Sequence, residues 1–261
     1  MDKLIRDPET ITRLDAISQA RREFMELYTR KEEMLVIERN IIYLRYVKLL
    51  GRLQYERYQL GVDVRALKMK IKLAQEALSR RQRPDIDAID ATVSRALADD
   101  LSEVSRQAKA LRDAASMTMP DQDELIELRD LYRLMVKKLH PDLNPAQSDR
   151  DYDLFLKGQS AYRTMNVEAL RHVIVNIDVT APDGDPRSRG ENLDHTLWRL
   201  RSQIALFTTA ISELSLTFPF DQADILSNAQ LLDHRRSLLS ADIDSLRAER
   251  DVLTDRLTLF L

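Results

Sequence analysis

The stretch LDHTLWRLRSQIALFTTAISELSLTF, residues 193–218, carries apolar side chains at Leu193, Leu197, Leu200, Ile204, Phe207, Ile211, Leu214 and Phe218. The steps alternate between four and three residues without a miss. That is the seam of a helix packed on another helix and matches no strand pattern. Pro219 ends it. A second seam follows at Leu232, Leu239, Ile243, Leu246, Leu253 and Leu257, broken by Arg236 and Arg250. Joined through Phe218-Pro219-Phe220-Asp221, the two seams predict an antiparallel helical hairpin over residues 192–261, with Asp221 as a cap.

The rest of the chain agrees with an all-α fold. Among 261 residues there are 5 glycines and 8 prolines, too few for the many turns of a sandwich or a doubly wound sheet. Cysteine is absent, which excludes disulfides, thiolate metal sites and cysteine nucleophiles. The 40 basic and 43 acidic side chains leave a net charge of −3, so no global field draws nucleic acid or an anionic membrane. No apolar run reaches the length of a signal peptide core or a membrane span. A soluble, cytoplasmic protein without a membrane or nucleic-acid partner is the expectation.

Pro8 with Glu9 reads as a helix start. From Ile11 to Leu78 the apolar residues keep helical spacing, which fits either one long rod or a helix bent near Gly51 and Gly61. Pro84 breaks this run, and Asp85 can cap a helix striped by Ile86, Ile89, Val93, Leu97, Leu101 and Val104. Four segments result: a long helical, coiled-coil-like region at 1–116, a module at 117–178, a Pro- and Gly-containing linker at 179–191, and the hairpin at 192–261.

The module carries the most specific motif. Residues 129–145 read Arg-Asp-Leu-Tyr-Arg-Leu-Met-Val-Lys-Lys-Leu-His-Pro-Asp-Leu-Asn-Pro. Leu128, Leu131, Met135 and Leu139 stripe one helix. Pro141 and Pro145 force a turn, and Ser148 or Asp151 can start a second helix. Leu154, Phe155, Ala161, Tyr162 and Met165 on that helix can oppose the first stripe. Arg129, Arg133 and Lys137 recur every fourth residue as a basic ridge with Lys138 beside it. Such a ridge next to a fixed turn suits an acidic partner surface.

This stretch resembles helix II and the His-Pro-Asp loop of a J domain, the module by which DnaJ-type co-chaperones stimulate DnaK-type heat-shock ATPases. Tyr132, Arg133, Lys137-Lys138 and His140-Pro141-Asp142 fall on the family's pattern, as do Phe155, Ala161-Tyr162 and Arg171 downstream. The resemblance covers about residues 121–175. It implies that Asp142 pairs with a basic group of the chaperone, that His140 and Pro141 hold the loop's shape, and that Tyr132, Arg129, Arg133, Lys137 and Lys138 complete the contact. Helix I is where the chain departs from the family. Met117-Thr118-Met119 lacks the usual glycine and no paired aromatics precede it, so the end of the 86–116 helix is expected to stand in. No Gly/Phe-rich segment or zinc module is present, so this is not a full-length general DnaJ.

The expected function is a co-chaperone, not an enzyme, with no cofactor or metal, whose helical flanks bind a client or form a homo-oligomer. The alternative is a structural coiled-coil scaffold carrying a degenerate J-like hairpin. The co-chaperone needs His140 and Asp142 on an accessible turn, while the scaffold tolerates their burial against residues 1–110 or 192–261. His172, His195 and His234 stand alone, without the i, i+4 partner of a helical metal site.

Overall fold

The computed structural model describes residues 8–177 and 193–260. The fold is all-α, with no strand among the described residues. The linker expected at 179–191 lies outside them.

The chain is helical from Pro8 to Ser79, through α1 (Pro8–Glu33), α2 (Arg39–Tyr46) and α3 (Arg52–Ser79), with π-type turns at Met34–Glu38 and Val47–Gly51. There follow α4 (Ile86–Ala96), α5 (Ala98–Ser116), α6 (Gln122–Leu139), α7 (Asp149–Arg163), α8 (Val167–Val175), α9 (Leu193–Ser215), the short α10 (Ala223–Ser227) and α11 (Ala229–Thr258). Local chemistry accounts for several starts. The Asp85 carboxylate accepts from the Ala88 amide at 3.0 Å, as its position before Ile86 predicts. Ser148 and Asp151 form a reciprocal capping box at the start of α7. Asp221 instead lies within a 3₁₀ turn, and Asn228 caps α11. Among the described residues no helix is long and apolar enough to cross a membrane.

Two compact units divide the chain differently from the linear segments read in the sequence: residues 1–41 with 119–221, and residues 42–118 with 222–261. The self-paired hairpin over 192–261 is thereby corrected. The seam of α9 packs along α1, and α11 packs along α3. A seam records that a helix wants a partner, and it does not record which one.

In the first unit Ile17, Phe24, Tyr28, Val36 and Ile37 share one core with Leu128, Tyr132, Met135, Val136, Phe155, Tyr162, Leu170 and Leu200. Helix α6 and α7 form the antiparallel pair expected from their stripes. They approach closely at Gly158, where an added Cβ would come 1.9 Å from the Met135 sulfur. Met135 is fully buried, so its flexible side chain can move aside only by repacking the core around it. Gly158→Ala gains roughly 1 kcal/mol of helix propensity. Against this stands an overpacking cost of about 1–3 kcal/mol, so a net loss of thermal stability is expected. At Gly61 a Cβ meets nothing within 4 Å, so Gly61→Ala is expected to raise the melting temperature slightly in the same assay.

In the second unit, Leu50, Leu226, Leu232 and Leu239 form one cluster, and Val62, Val93 and Leu97 another. Gly51 lets α5 come close, since a Cβ there would sit 2.9 Å from the Leu111 side chain. Arg57–Asp242 at 2.9 Å and Lys68–Glu249 at 2.7 Å link α3 to α11. Exposed pairs of this kind add little stability and favour one register of the two helices.

Candidate functional site

Helix α6 opens with a capping box in which Asp121 accepts from the Glu124 amide at 2.8 Å and Glu124 accepts from the Asp121 amide at 3.1 Å. It stops at His140, whose ψ of 128° is the extended backbone that a following proline demands. The His140 carbonyl then accepts from the amides of Leu143 at 3.0 Å and Asn144 at 2.8 Å, closing a tight turn. The Asn144 side-chain amide donates to the Lys137 and His140 carbonyls at 3.1 and 3.3 Å, satisfying acceptors that the helix end leaves open.

His140 is buried. Its ring lies edge-on to Phe24, Tyr28 and Phe155 at centroid distances of 4.9, 4.5 and 5.1 Å. Its Nδ1 accepts the Asp142 amide at 3.1 Å, so the ring itself fixes the next two residues of the loop. An accepting Nδ1 puts the proton of the neutral ring on Nε2. Burial pushes the imidazole down to about 4, with Asp142 opposing and Lys31 reinforcing the shift. At neutral pH the ring is uncharged.

Pro141 and Asp142 are half-exposed at the tip. The guanidinium of Arg199, on α9, donates to the Asp142 carbonyl at 3.3 Å and lies 3.8 Å from its carboxylate. With His140 packed on residues 24 and 28 and Asp142 paired with residue 199, the loop leans on both flanking regions.

The remaining candidate residues divide. Tyr132 is a core residue and not a contact surface, which corrects its assignment to partner binding. Its ring stacks on Tyr162 at 3.8 Å, its hydroxyl reaches that of Tyr28 at 3.5 Å, and desolvation pushes its phenol well up. The Tyr28 hydroxyl also accepts from Gln159 at 2.7 Å. Of the basic ridge, Arg129 is ion-paired with Glu33 of α1 at 2.6 Å, and Arg133 stands 4.0 Å from the same carboxylate. Lys137 is exposed and Lys138 half-exposed, both within a turn of the loop.

Arg171 sits where the resemblance wants a basic residue. It pairs with Glu127 of α6 and Glu168, and its guanidinium holds the Glu127 carboxyl below the ordinary range. It therefore tethers α8 to α6.

The expected substitute for helix I is also corrected. Helix α5 buries no residue and belongs to the other unit, while α1 lays Phe24 and Tyr28 across the α6–α7 pair. Phe24 and Tyr28 had been legible only as members of a long apolar series. Glu33, Gln159 and Arg199 carried no signal, because each matters through a partner far away in sequence. No protein-family model, no curated protein and no solved structure matches the chain.

Proposed function

We propose that the chain is a J-domain-like co-chaperone that stimulates a DnaK-type ATPase in the cytoplasm through the loop at Pro141 and Asp142, and that it is not itself an enzyme. The helical flanks then serve client binding or self-association. The observation that carries this reading is the construction of the loop. His140 is spent on the interior, where its ring and carbonyl together hold three backbone amides of the turn. Pro141 and Asp142 are left at the tip, near Lys137 and Lys138. The co-chaperone reading expects His140 on an accessible turn. The ring is instead buried against Phe24 and Tyr28, which leaves His140 the shape-holding role that the resemblance implies and leaves the contact to Pro141 and Asp142.

A second reading, the structural scaffold, is favoured by two observations. His140 is buried against Phe24 and Tyr28, and Asp142, which a partner's basic group would engage, already has Arg199 beside it. Because that ion pair is long and partly exposed, it is worth at most about 1 kcal/mol and yields to a better partner.

The test is ATPase stimulation of a DnaK-type chaperone by wild type, Asp142→Asn and Arg199→Ala, with melting curves alongside. Wild type is expected to stimulate, Asp142→Asn to fall to the basal rate with an unchanged melting curve, and Arg199→Ala to stimulate at least as well as wild type. Stimulation that survives in Asp142→Asn overturns the co-chaperone reading. So does its absence from both wild type and Arg199→Ala, which leaves the scaffold.

A further inference from the structure

Helices α7 and α8 pack against each other and leave an open groove of about 630 Å³ along their contact. Its floor is apolar, built from half-buried Leu154 and buried Val173. Its rim is polar. Arg150, Asp153 and Lys157 line the α7 side and His172 the α8 side, and all four are exposed.

Along α7 the rim charges run positive, negative, positive. Arg150 and Lys157 are separated by two turns on one side of the helix, so their backbones stand roughly 10 Å apart. Asp153 lies one turn from each, at the spacing where helical ion pairs form, yet it is paired with neither. A rim of this kind selects by spacing. A single anion placed midway meets the Asp153 carboxylate and is repelled, whereas two anions held apart can each sit on a cation and clear it. An extended peptide supplies that separation. In the polyproline II conformation like-facing side chains recur every third residue, at about 3.1 Å per residue, so carboxylates at i and i+3 stand about 9 Å apart.

We propose that this groove binds an extended peptide segment carrying two acidic side chains three residues apart, one carboxylate on Arg150 and the other on Lys157, with flanking apolar side chains laid on Leu154 and Val173. The Arg150 guanidinium takes its carboxylate as a fork, which fixes the direction of the segment, while the Lys157 ammonium acts as a point charge. The His172 ring offers a further hydrogen bond from the opposite rim. Such binding needs no chaperone, so it stands apart from the co-chaperone reading and serves a client or a scaffold partner alike.

The experiment measures fluorescence anisotropy of two fluorescein-labelled synthetic peptides with the full chain. One is Leu-Glu-Pro-Pro-Glu-Leu, in which the prolines favour polyproline II and space the acids. The other, Leu-Pro-Glu-Glu-Pro-Leu, has the same composition and net charge with the acids adjacent. Wild type is expected to bind the spaced peptide about ten-fold more tightly than the adjacent one. Arg150→Glu and Lys157→Glu are each expected to weaken the spaced peptide about ten-fold. Asp153→Asn is expected to strengthen the adjacent peptide more than the spaced one and so narrow the preference, which a general attraction of opposite charges does not do. Arg235→Glu, which reverses an exposed charge on α11, is expected to match wild type.

Because the substituted side chains are exposed, unchanged melting curves are expected in every variant. Equal binding of the two peptides, binding of neither, or charge reversals in the groove that behave like Arg235→Glu overturn the site. So does full displacement of the spaced peptide by millimolar inorganic phosphate, which assigns the groove to a single anion. None of these outcomes bears on ATPase stimulation, so the loop and the groove stand or fall separately.

Discussion

Phe24→Ala is expected to destabilise the first unit by about 3–5 kcal/mol, the range for truncating a fully buried aromatic ring. Phe24 has no exposed surface, and its ring lies 4.9 Å from His140 and 5.3 Å from Phe207. It also stacks in parallel with Tyr28 at 6.0 Å. A single truncation therefore opens a cavity where α1, α9 and the loop meet. Since domains of this size are stable by roughly 5–15 kcal/mol, the loss removes a large share of the total. The one tryptophan of the chain, Trp198, lies on α9 in the same unit, so its emission during urea denaturation follows the unfolding of this unit. Ile11→Ala, on an exposed face of α1, is expected to stay within about 0.5 kcal/mol of wild type. A cost below about 1 kcal/mol for Phe24→Ala would mean that α1 is not an integral wall of the module.

That prediction depends on the one substitution of parts that local pattern could not reveal. The sequence reading places the α6–α7 pair, its stripes, the turn and the Ser148 cap, because each of those signals lies within a few residues of the structure it specifies. Leu128, Met135, Leu139, Phe155 and Tyr162 are all buried as their spacing requires. The helix that packs across this pair is a different problem. It comes from a segment about a hundred residues upstream, and the Tyr28 to Tyr132 contact spans 104 positions. Hydrophobic periodicity says that Phe24 and Tyr28 face a core and carries no address. Helix α5, being next in sequence, was the natural candidate, yet it contributes nothing to that core.

The same limit explains the seams. Leu197, Leu200, Ile204 and Phe207 needed a partner helix, and α1 supplies it. Adjacency in sequence suggested α11 instead. Helix hairpins are common because short connections favour neighbours, but a long amphipathic α1 offers a second apolar face and competes for the same seam. The candidate residues divide on this line too. Pro141 and Asp142 were legible from the motif, whereas Arg199 acquires meaning only from what stands across from it.

The ring of His140 makes the stability of the first unit depend on pH, and the sign follows from its environment. Burial lowers its pKa to about 4, against the 6.5 of an exposed imidazole. Between those values the unfolded chain holds a proton that the folded chain does not, so acidification favours unfolding. At about 1.4 kcal/mol for each pH unit, the contribution of this one ring amounts to about 3 kcal/mol. It is fully present above pH 6.5 and is lost as the pH falls toward 4.

His140→Gln is expected to be less stable than wild type at pH 7, because an amide replaces an aromatic ring among Phe24, Tyr28 and Phe155. Its stability should then decline less steeply between pH 6.5 and 4, narrowing the gap by about 3 kcal/mol. The carboxylates of the unit are present in both proteins and largely cancel in the comparison. The measurement is the Trp198-detected urea midpoint of each protein at half-unit pH steps. Parallel curves would show that the ring titrates alike in the folded and unfolded chains, and would remove the buried, neutral histidine on which the shape of the loop depends.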